Sequence, residues 1–340
     1  MARLDDKLTR ILSGDYRKGD FIIADAKDGD MGSGITTGGP LYDAQNEQIG
    51  WKTRRDYLDQ ITTVVKQDIV DIMLTSVSNM ERLHQEGVYK TSAVKPAIRA
   101  NDATDCWGGV RGSSYAKEKS RPYRTATIAQ VMYGKQDGKK GDPITGTDLG
   151  LYSITFNNDL DADMRSLDAF AAFREEAVRL GFTYFLEVFN PNAPVGLTPE
   201  TSPSFVNDCL LRCLSGLTQV ERPRFLKIPF NGHRAIAELA NYDPTVVIGV
   251  LGGGAGTTRD TFELLRQSEQ AGARLALFGR KINLAESPLT LLRFMRGVAD
   301  GDVSPSDAVR AYHDALAKEG LRPRRKLEAD QEITEAVLRG

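Results

Sequence analysis

The sequence predicts a (β/α)8 barrel, and three observations carry that prediction. Short apolar, strand-like stretches recur eight times along 340 residues. Amphipathic helical patterns separate most of them, the signature of a parallel β/α fold. Eight such units over this length suit one closed barrel. The runner-up is a doubly wound open sheet. Against it, no GxGxxG follows the first strand.

The predicted strands are 21–26 (FIIADA), 70–75 (VDIMLT), 94–99 (VKPAIR), 150–156 (GLYSITF), 182–188 (FTYFLEV), 224–229 (RFLKIP), 245–250 (TVVIGV) and 274–279 (RLALFG). Between them, Tyr57, Leu58, Ile61, Val64 and Val65 share one face of a helix over 54–66. Leu167, Phe170, Phe173, Ala177 and Leu180 do the same over 164–180, and a stripe from Phe205 to Leu217 marks 203–217. Thr257 and Asp260 are spaced as an acidic capping box for a helix over 258–271. Ser304-Pro305 opens another over 304–318, with a cap and a first-turn proline. The segment 100–148 (CWGGVRGSS, KEKSRPYR, GKQDGKKGDP) is too long for a plain connection. One barrel over 1–340 is expected, with 100–148 as a lid, an oligomer contact or an added hairpin.

Composition narrows the function. Apolar residues make up 41% and charged residues 26%, with a formal charge of −2 and the two signs interspersed. Neither a nucleic-acid surface nor a polybasic membrane patch is expected. No apolar run reaches membrane-spanning length, and MARLDDKLTR lacks the apolar core of a signal peptide, so a cytoplasmic location is expected. Cys106, Cys209 and Cys213 do not form a disulfide framework; the latter two share a helix face. The histidines, His84, His233 and His313, are scattered, which disfavours a zinc site.

In such a barrel, chemistry gathers at the C-terminal strand ends. RFLKIPF places Lys227 in an otherwise apolar sixth strand. It reads as an ion-paired structural lysine or as an amine able to attack a carbonyl. FLEVF places Glu187 on the neighbouring fifth strand, as acid/base or as the partner that keeps Lys227 charged. The seventh strand leads into GVLGGGAGTT and the eighth into FGRKIN, where glycine amides and the fork of Arg280 suit a phosphate. On the first strand Asp25 and Lys27 share a side by alternation, with Asp28 and Asp30 following in the loop. These groups suit substrate hydroxyls, a proton relay, or magnesium held by the clustered acids. Arg99, on the third strand beside Lys95 and Asn101, suits a second anionic group or a salt bridge inside the barrel.

These residues resemble class I aldolases of the bacterial and archaeal type, in the tagatose-1,6-bisphosphate and archaeal-type fructose-bisphosphate branches. The resemblance covers mainly 150–300, with an echo at 21–40. FLKIPF is similar to the family strand bearing the Schiff-base lysine, which implies that role for Lys227. FLEVF is similar to the tagatose-type fifth strand, which implies the acid/base for Glu187. GVLGGGAGTT and LFGRKIN are similar to the phosphate-binding turns, matching Gly253, Gly254, Gly279 and Arg280. IIADAKDG is similar to the first-strand aspartate motif, matched first by Asp25 and second by Asp28. The sequence departs from the family on strand four. Phe156 falls where the archaeal type has a catalytic tyrosine, and 150–158 holds no lysine.

The resemblance implies a metal-independent, reversible aldol cleavage of a phosphorylated ketose-type substrate, with no cofactor. Lys227 would form the imine, Glu187 would move protons and Asp25 would assist at the cleaved hydroxyl. It also implies a homo-oligomer. Two alternatives remain open: a divalent-metal aldolase or lyase using the first-strand acids, and a sugar-phosphate-binding regulatory protein on an aldolase-like barrel.

Overall fold

Eight parallel strands close on themselves in this chain. The computed structural model describes residues 3–43, 47–103, 109–253 and 256–339. The barrel strands are β1 (Ile22–Lys27), β2 (Ile72–Thr75), β3 (Lys95–Arg99), β4 (Leu149–Thr155), β5 (Thr183–Phe189), β6 (Leu226–Ile228), β7 (Ile248–Leu251) and β8 (Leu275–Phe278). Each pairs with its sequence neighbours, and β1 pairs with both β2 and β8. The fold is therefore a (β/α)8 barrel, and every predicted strand is present with ends shifted by three residues or fewer.

Alternation sorts the strand residues into two cores. One face of each strand fills the barrel: Ile22, Ala24, Leu74, Ala97, Leu151, Phe185, Phe225, Leu275 and Leu277 lie in one buried cluster. The other face, including Ile23, Met73, Ile98, Tyr152, Leu186, Ile228 and Phe278, packs against the helices. A helix at Arg3–Leu12 joins the interior cluster through Leu4 and Leu8, beside Ile22, Leu149 and Phe225 at the strand N-termini. It thus closes the end of the barrel opposite the strand C-termini. Asp71 fastens it there, with Lys7 at 2.9 Å, Arg3 at 3.0 Å and Arg296 at 3.3 Å.

The predicted helices form as Arg54–Gln67, Leu160–Leu180, Ser202–Ser215, Thr258–Gln270 and Pro305–Lys318. The Thr257–Asp260 capping box is complete in both directions. Cys209 and Cys213 are free thiols on one face of Ser202–Ser215, packed against the outer core and each pushed up to about 11 by burial. Cys106 lies outside the described residues.

The segment 100–148 is less foreign than its composition suggests. Its second half includes the short helix Ile128–Tyr133, buried among the barrel's outer layer. Its first half adds an antiparallel ladder of Asp102–Ala103 with Pro122–Tyr123 beside the end of β3. Among the described residues no helix is long and apolar enough to cross a membrane.

Candidate active site

Register brings the charged residues of β3, β5 and β6 together. Lys227 is the Cα partner of Glu187 across β5 and β6, and Glu187 is the partner of Ser153 across β4 and β5. All three side chains share the interior face, two residues beyond the layer that contains Leu151, Phe185 and Phe225. Phe185 and Phe225 stack with centroids 4.6 Å apart and form an apolar floor. Above it, Lys227 Nζ lies 2.5 Å from Glu187 Oε1, with side chains 8% and 1% exposed.

Glu187 is the hub of this site. Its other oxygen, Oε2, accepts from Ser153 Oγ at 2.7 Å and from Arg99 Nη2 at 3.1 Å. Arg99 also donates through Nη1 to Ser153 Oγ at 2.8 Å and through Nε to Asp28 Oδ2 at 2.6 Å. The result is an alternating row, Asp28–Arg99–Glu187–Lys227, in which each buried charge has an opposite neighbour. Burial opposes ionisation of Asp28, but the charges of Arg99 and Lys227 outweigh it and hold the carboxyl below its ordinary range. Behind the row, Asn101 fixes Ser153 through both backbone groups, Ser153 N to Oδ1 at 2.6 Å and Nδ2 to Ser153 O at 2.9 Å. Asp102, 4.0 Å from Arg99, accepts from Tyr123 of the added ladder at 3.0 Å.

This row opens into a cleft of about 850 Å3 at the C-terminal ends of the strands. Asp28, Arg99, Glu187, Lys227, Gly253, Gly279 and Arg280 all line it, so most of the sequence-derived site residues converge. Arg280 is exposed at the rim and donates to Gly253 O at 3.1 Å. Gly253 has φ +61°, a left-handed conformation that suits glycine. At Gly279 a Cβ would meet Ala26 O at 2.7 Å, so close backbone packing already requires glycine there. Gly254 lies outside the described residues. The hairpin of Pro40–Tyr42 with Gln48–Trp51 adds Trp51 to the cleft wall, which sequence reasoning did not single out.

Three assignments need correction. Asp25 and Lys27 continue the outward face of Ile23, behind the barrel wall, and neither lines the cleft. They form their own fully buried pair at 3.1 Å. Burial raises the Asp25 carboxyl to about 6, partly offset by Lys27, and burial lowers the Lys27 ammonium. The first-strand carboxylate that reaches the site is Asp28, because the chain turns after Lys27. Arg99 is engaged by Asp28, Glu187 and Ser153, the internal salt-bridge alternative rather than a second anion site.

On β4, Phe156 belongs to the outer core, and the inward positions beyond Leu151, toward the C-terminal end, are Ser153 and Thr155. Ser153 was missed because a serine among apolar strand residues reads as a small packing residue; its parity with Leu151 was the available signal. The first-strand acids also take different partners. Asp30 accepts from Ser76 at 2.6 Å and Asn79 at 3.0 Å, whereas Asp28 pairs with Arg99, and among the described residues no three potential metal ligands cluster.

No protein-family model and no curated protein matches the chain. Solved structures do. An archaeal fructose 1,6-bisphosphate aldolase superposes with a TM-score of 0.59 at 14% identity, covering 88% of this chain and 99% of that one. An archaeal fructose-1,6-bisphosphate aldolase whose catalytic lysine is covalently bound to the carbinolamine intermediate of its substrate gives 0.59 at 14% identity, covering 88% and 100%. A protein of Corynebacterium glutamicum gives 0.56 at 16% identity, covering 89% and 99%. At these identities the likeness is one of fold.

Proposed function

We propose that the chain is a Schiff-base-forming aldolase that reversibly cleaves a phosphorylated ketose-type substrate. The observation that carries this reading is the buried Lys227–Glu187 pair at 2.5 Å on an aromatic floor, at the base of a cleft large enough for a sugar phosphate. Transfer of one proton from Nζ to Oε1 turns the ion pair into a neutral amine and a carboxylic acid, the two groups imine formation needs. The amine adds to the substrate carbonyl. Glu187 protonates the carbinolamine hydroxyl, which leaves as water, and an iminium remains.

Cleavage follows from that electron sink. A carboxylate removes the proton of the hydroxyl on the carbon beyond the breaking bond. The carbon–carbon electron pair moves into the iminium, giving an enamine and releasing an aldehyde. Glu187 and Asp28 are the carboxylates in position for these transfers. Arg99 and Ser153 hold Glu187 in its orientation, and so act on the reaction through it. Protonation of the enamine at carbon and addition of water return the ketone product and the free amine. Arg280, with Gly253 and Gly279, would bind the phosphate at the rim.

The fold likeness to Schiff-base-forming fructose-1,6-bisphosphate aldolases adds support. The test is a turnover screen of phosphorylated and unphosphorylated ketoses with wild type and Lys227→Met, with and without EDTA. Cleavage that survives EDTA and vanishes in Lys227→Met is expected. Cleavage abolished by EDTA and restored by magnesium favours metal-dependent chemistry. Thermal stabilisation by sugar phosphates with no turnover favours a binding protein, the reading that a fourth strand with neither tyrosine nor lysine on its inward face would suit.

A further inference from the structure

A second cleft, of about 550 Å3, adjoins the catalytic one and shares Asn190, Leu251 and Gly253 with it. One wall is the stretch after β5, PNAPVGLTPE, and the base is Pro229 and Phe230. Pro229 follows Lys227 by two residues, so this cleft begins one inward position beyond the amine. A carbonyl compound attached to Lys227 therefore faces a fork.

The two arms of the fork differ in charge. The catalytic cleft carries Arg99, Lys227 and Arg280; the first two are paired with Asp28 and Glu187, and Arg280 at the rim is the cation beyond that row. Among the described residues the second cleft carries no lysine, arginine or histidine, and its one charged group is Glu335. That carboxylate would lie 3.5 Å from a Cβ on Gly253, at the junction. It is fixed there because Asp260 accepts the backbone N–H groups of Thr334 at 2.8 Å and Glu335 at 3.2 Å. An anion entering this arm meets Glu335, whereas the cation that acts on that carboxylate, Lys281, does not line the arm.

The remaining surface is mainly apolar, with Thr198 and Ser202 among its lining residues, and stiff. Val195, Leu197, Phe230 and Val337 face the space. Pro191, Pro194, Pro199 and Pro203 restrict the wall, which Asn158 anchors through Val195 O at 2.9 Å. Such a wall loses little freedom when a ligand enters. At the junction, Asn190 and Asn231 bond reciprocally at 2.8 and 2.9 Å, and each amide keeps a second N–H for an uncharged oxygen.

We propose that this second cleft is the subsite for an uncharged, hydrocarbon-bearing arm of the substrate, opposite the arm that carries the anion. Resting on the aldolase reading, this makes the aldehyde half an unphosphorylated aldehyde with a short apolar chain. The test titrates the full chain with butane-1,2-diol through octane-1,2-diol by calorimetry, alongside Leu197→Arg and Val195→Asp, both in the half-buried loop. Affinity should rise about threefold to fourfold per methylene until the cleft is full, the value for burying one CH2. Both variants should abolish that rise, yet form the borohydride-reduced Lys227 adduct with dihydroxyacetone phosphate within twofold of wild type. Binding independent of chain length, or unchanged in both variants, overturns the subsite and leaves the imine reading standing. A rising diol series with no Lys227 adduct for any carbonyl probe overturns the aldol assignment, and with it the identity of the occupant.

Discussion

Replacing the buried Asp25–Lys27 pair by apolar residues should stabilise the protein at neutral pH and spare its chemistry. Both side chains are wholly buried, 3.1 Å apart, on the outward face of β1. Burial raises the Asp25 carboxyl from 3.8 to about 6. The folded state thus holds this proton more tightly than the unfolded chain does. Its stabilising contribution is complete below pH 3.8 and is lost as pH rises through about 6. A rise of that size corresponds to about 3 kcal/mol, of which about 2 kcal/mol develops between pH 4 and pH 7.

The variant is Asp25→Leu/Lys27→Met, measured by urea unfolding at pH 4, 5.5 and 7. Its stability relative to wild type should improve by about 2 kcal/mol from pH 4 to pH 7, in line with other buried pairs replaced by apolar groups. Each single substitution strands the opposite charge and should be less stable than the double. Turnover and Lys227 trapping should stay within about twofold of wild type. A pH-independent difference would refute the burial argument. A folded double variant that had lost Lys227 trapping would refute the outward register of Asp25.

Other perturbations separate the roles within the cleft. Asp28→Asn should lower kcat by about 10²–10⁴ with the fold intact, the range for a lost acid/base group; an unchanged kcat would leave Asp28 a purely structural partner of Arg99. Ser153→Ala removes the hydroxyl between Arg99 and Glu187 and should cost about 1–3 kcal/mol in urea unfolding, with a fall in kcat that Ser153→Thr partly rescues. Arg280→Ala should raise KM for phosphorylated ketoses by about 10–100-fold, the value of a charge-assisted hydrogen bond. It should leave unphosphorylated ketoses unchanged, and equal losses for both would remove the phosphate role.

The barrel was legible because strands and helices announce themselves by different periods, and eight repeats leave few alternatives. Lys227 and Glu187 were legible for a related reason: each is the one charge in an apolar run, on strands adjacent in sequence and therefore in space. The first strand was not. Both faces of a barrel strand are buried, so IIADAK carries no polar alternation to say which side looks inward. Asp25 and Asp28 differ in parity, and only the pairing of Ala24 with Ile72 and of Asp25 with Met73 decides between them. Lys27 followed Asp25 into the same misplacement. The row of charges through Arg99 and Ser153 depends on strands β3 to β5 meeting in register, which no local window records. The helix at Ile128–Tyr133 was hidden because glycine- and lysine-rich stretches on either side made 100–148 look uniformly loose.

The central claim is that Lys227 is the amine that takes up the substrate carbonyl. Borohydride reduction in the presence of a turned-over ketose, followed by peptide mass spectrometry, measures it directly. One reduced adduct is expected, on Lys227, lost in Lys227→Met and strongly diminished in Glu187→Gln. An active enzyme that yields no adduct on Lys227, or carries it on another lysine, would contradict that claim.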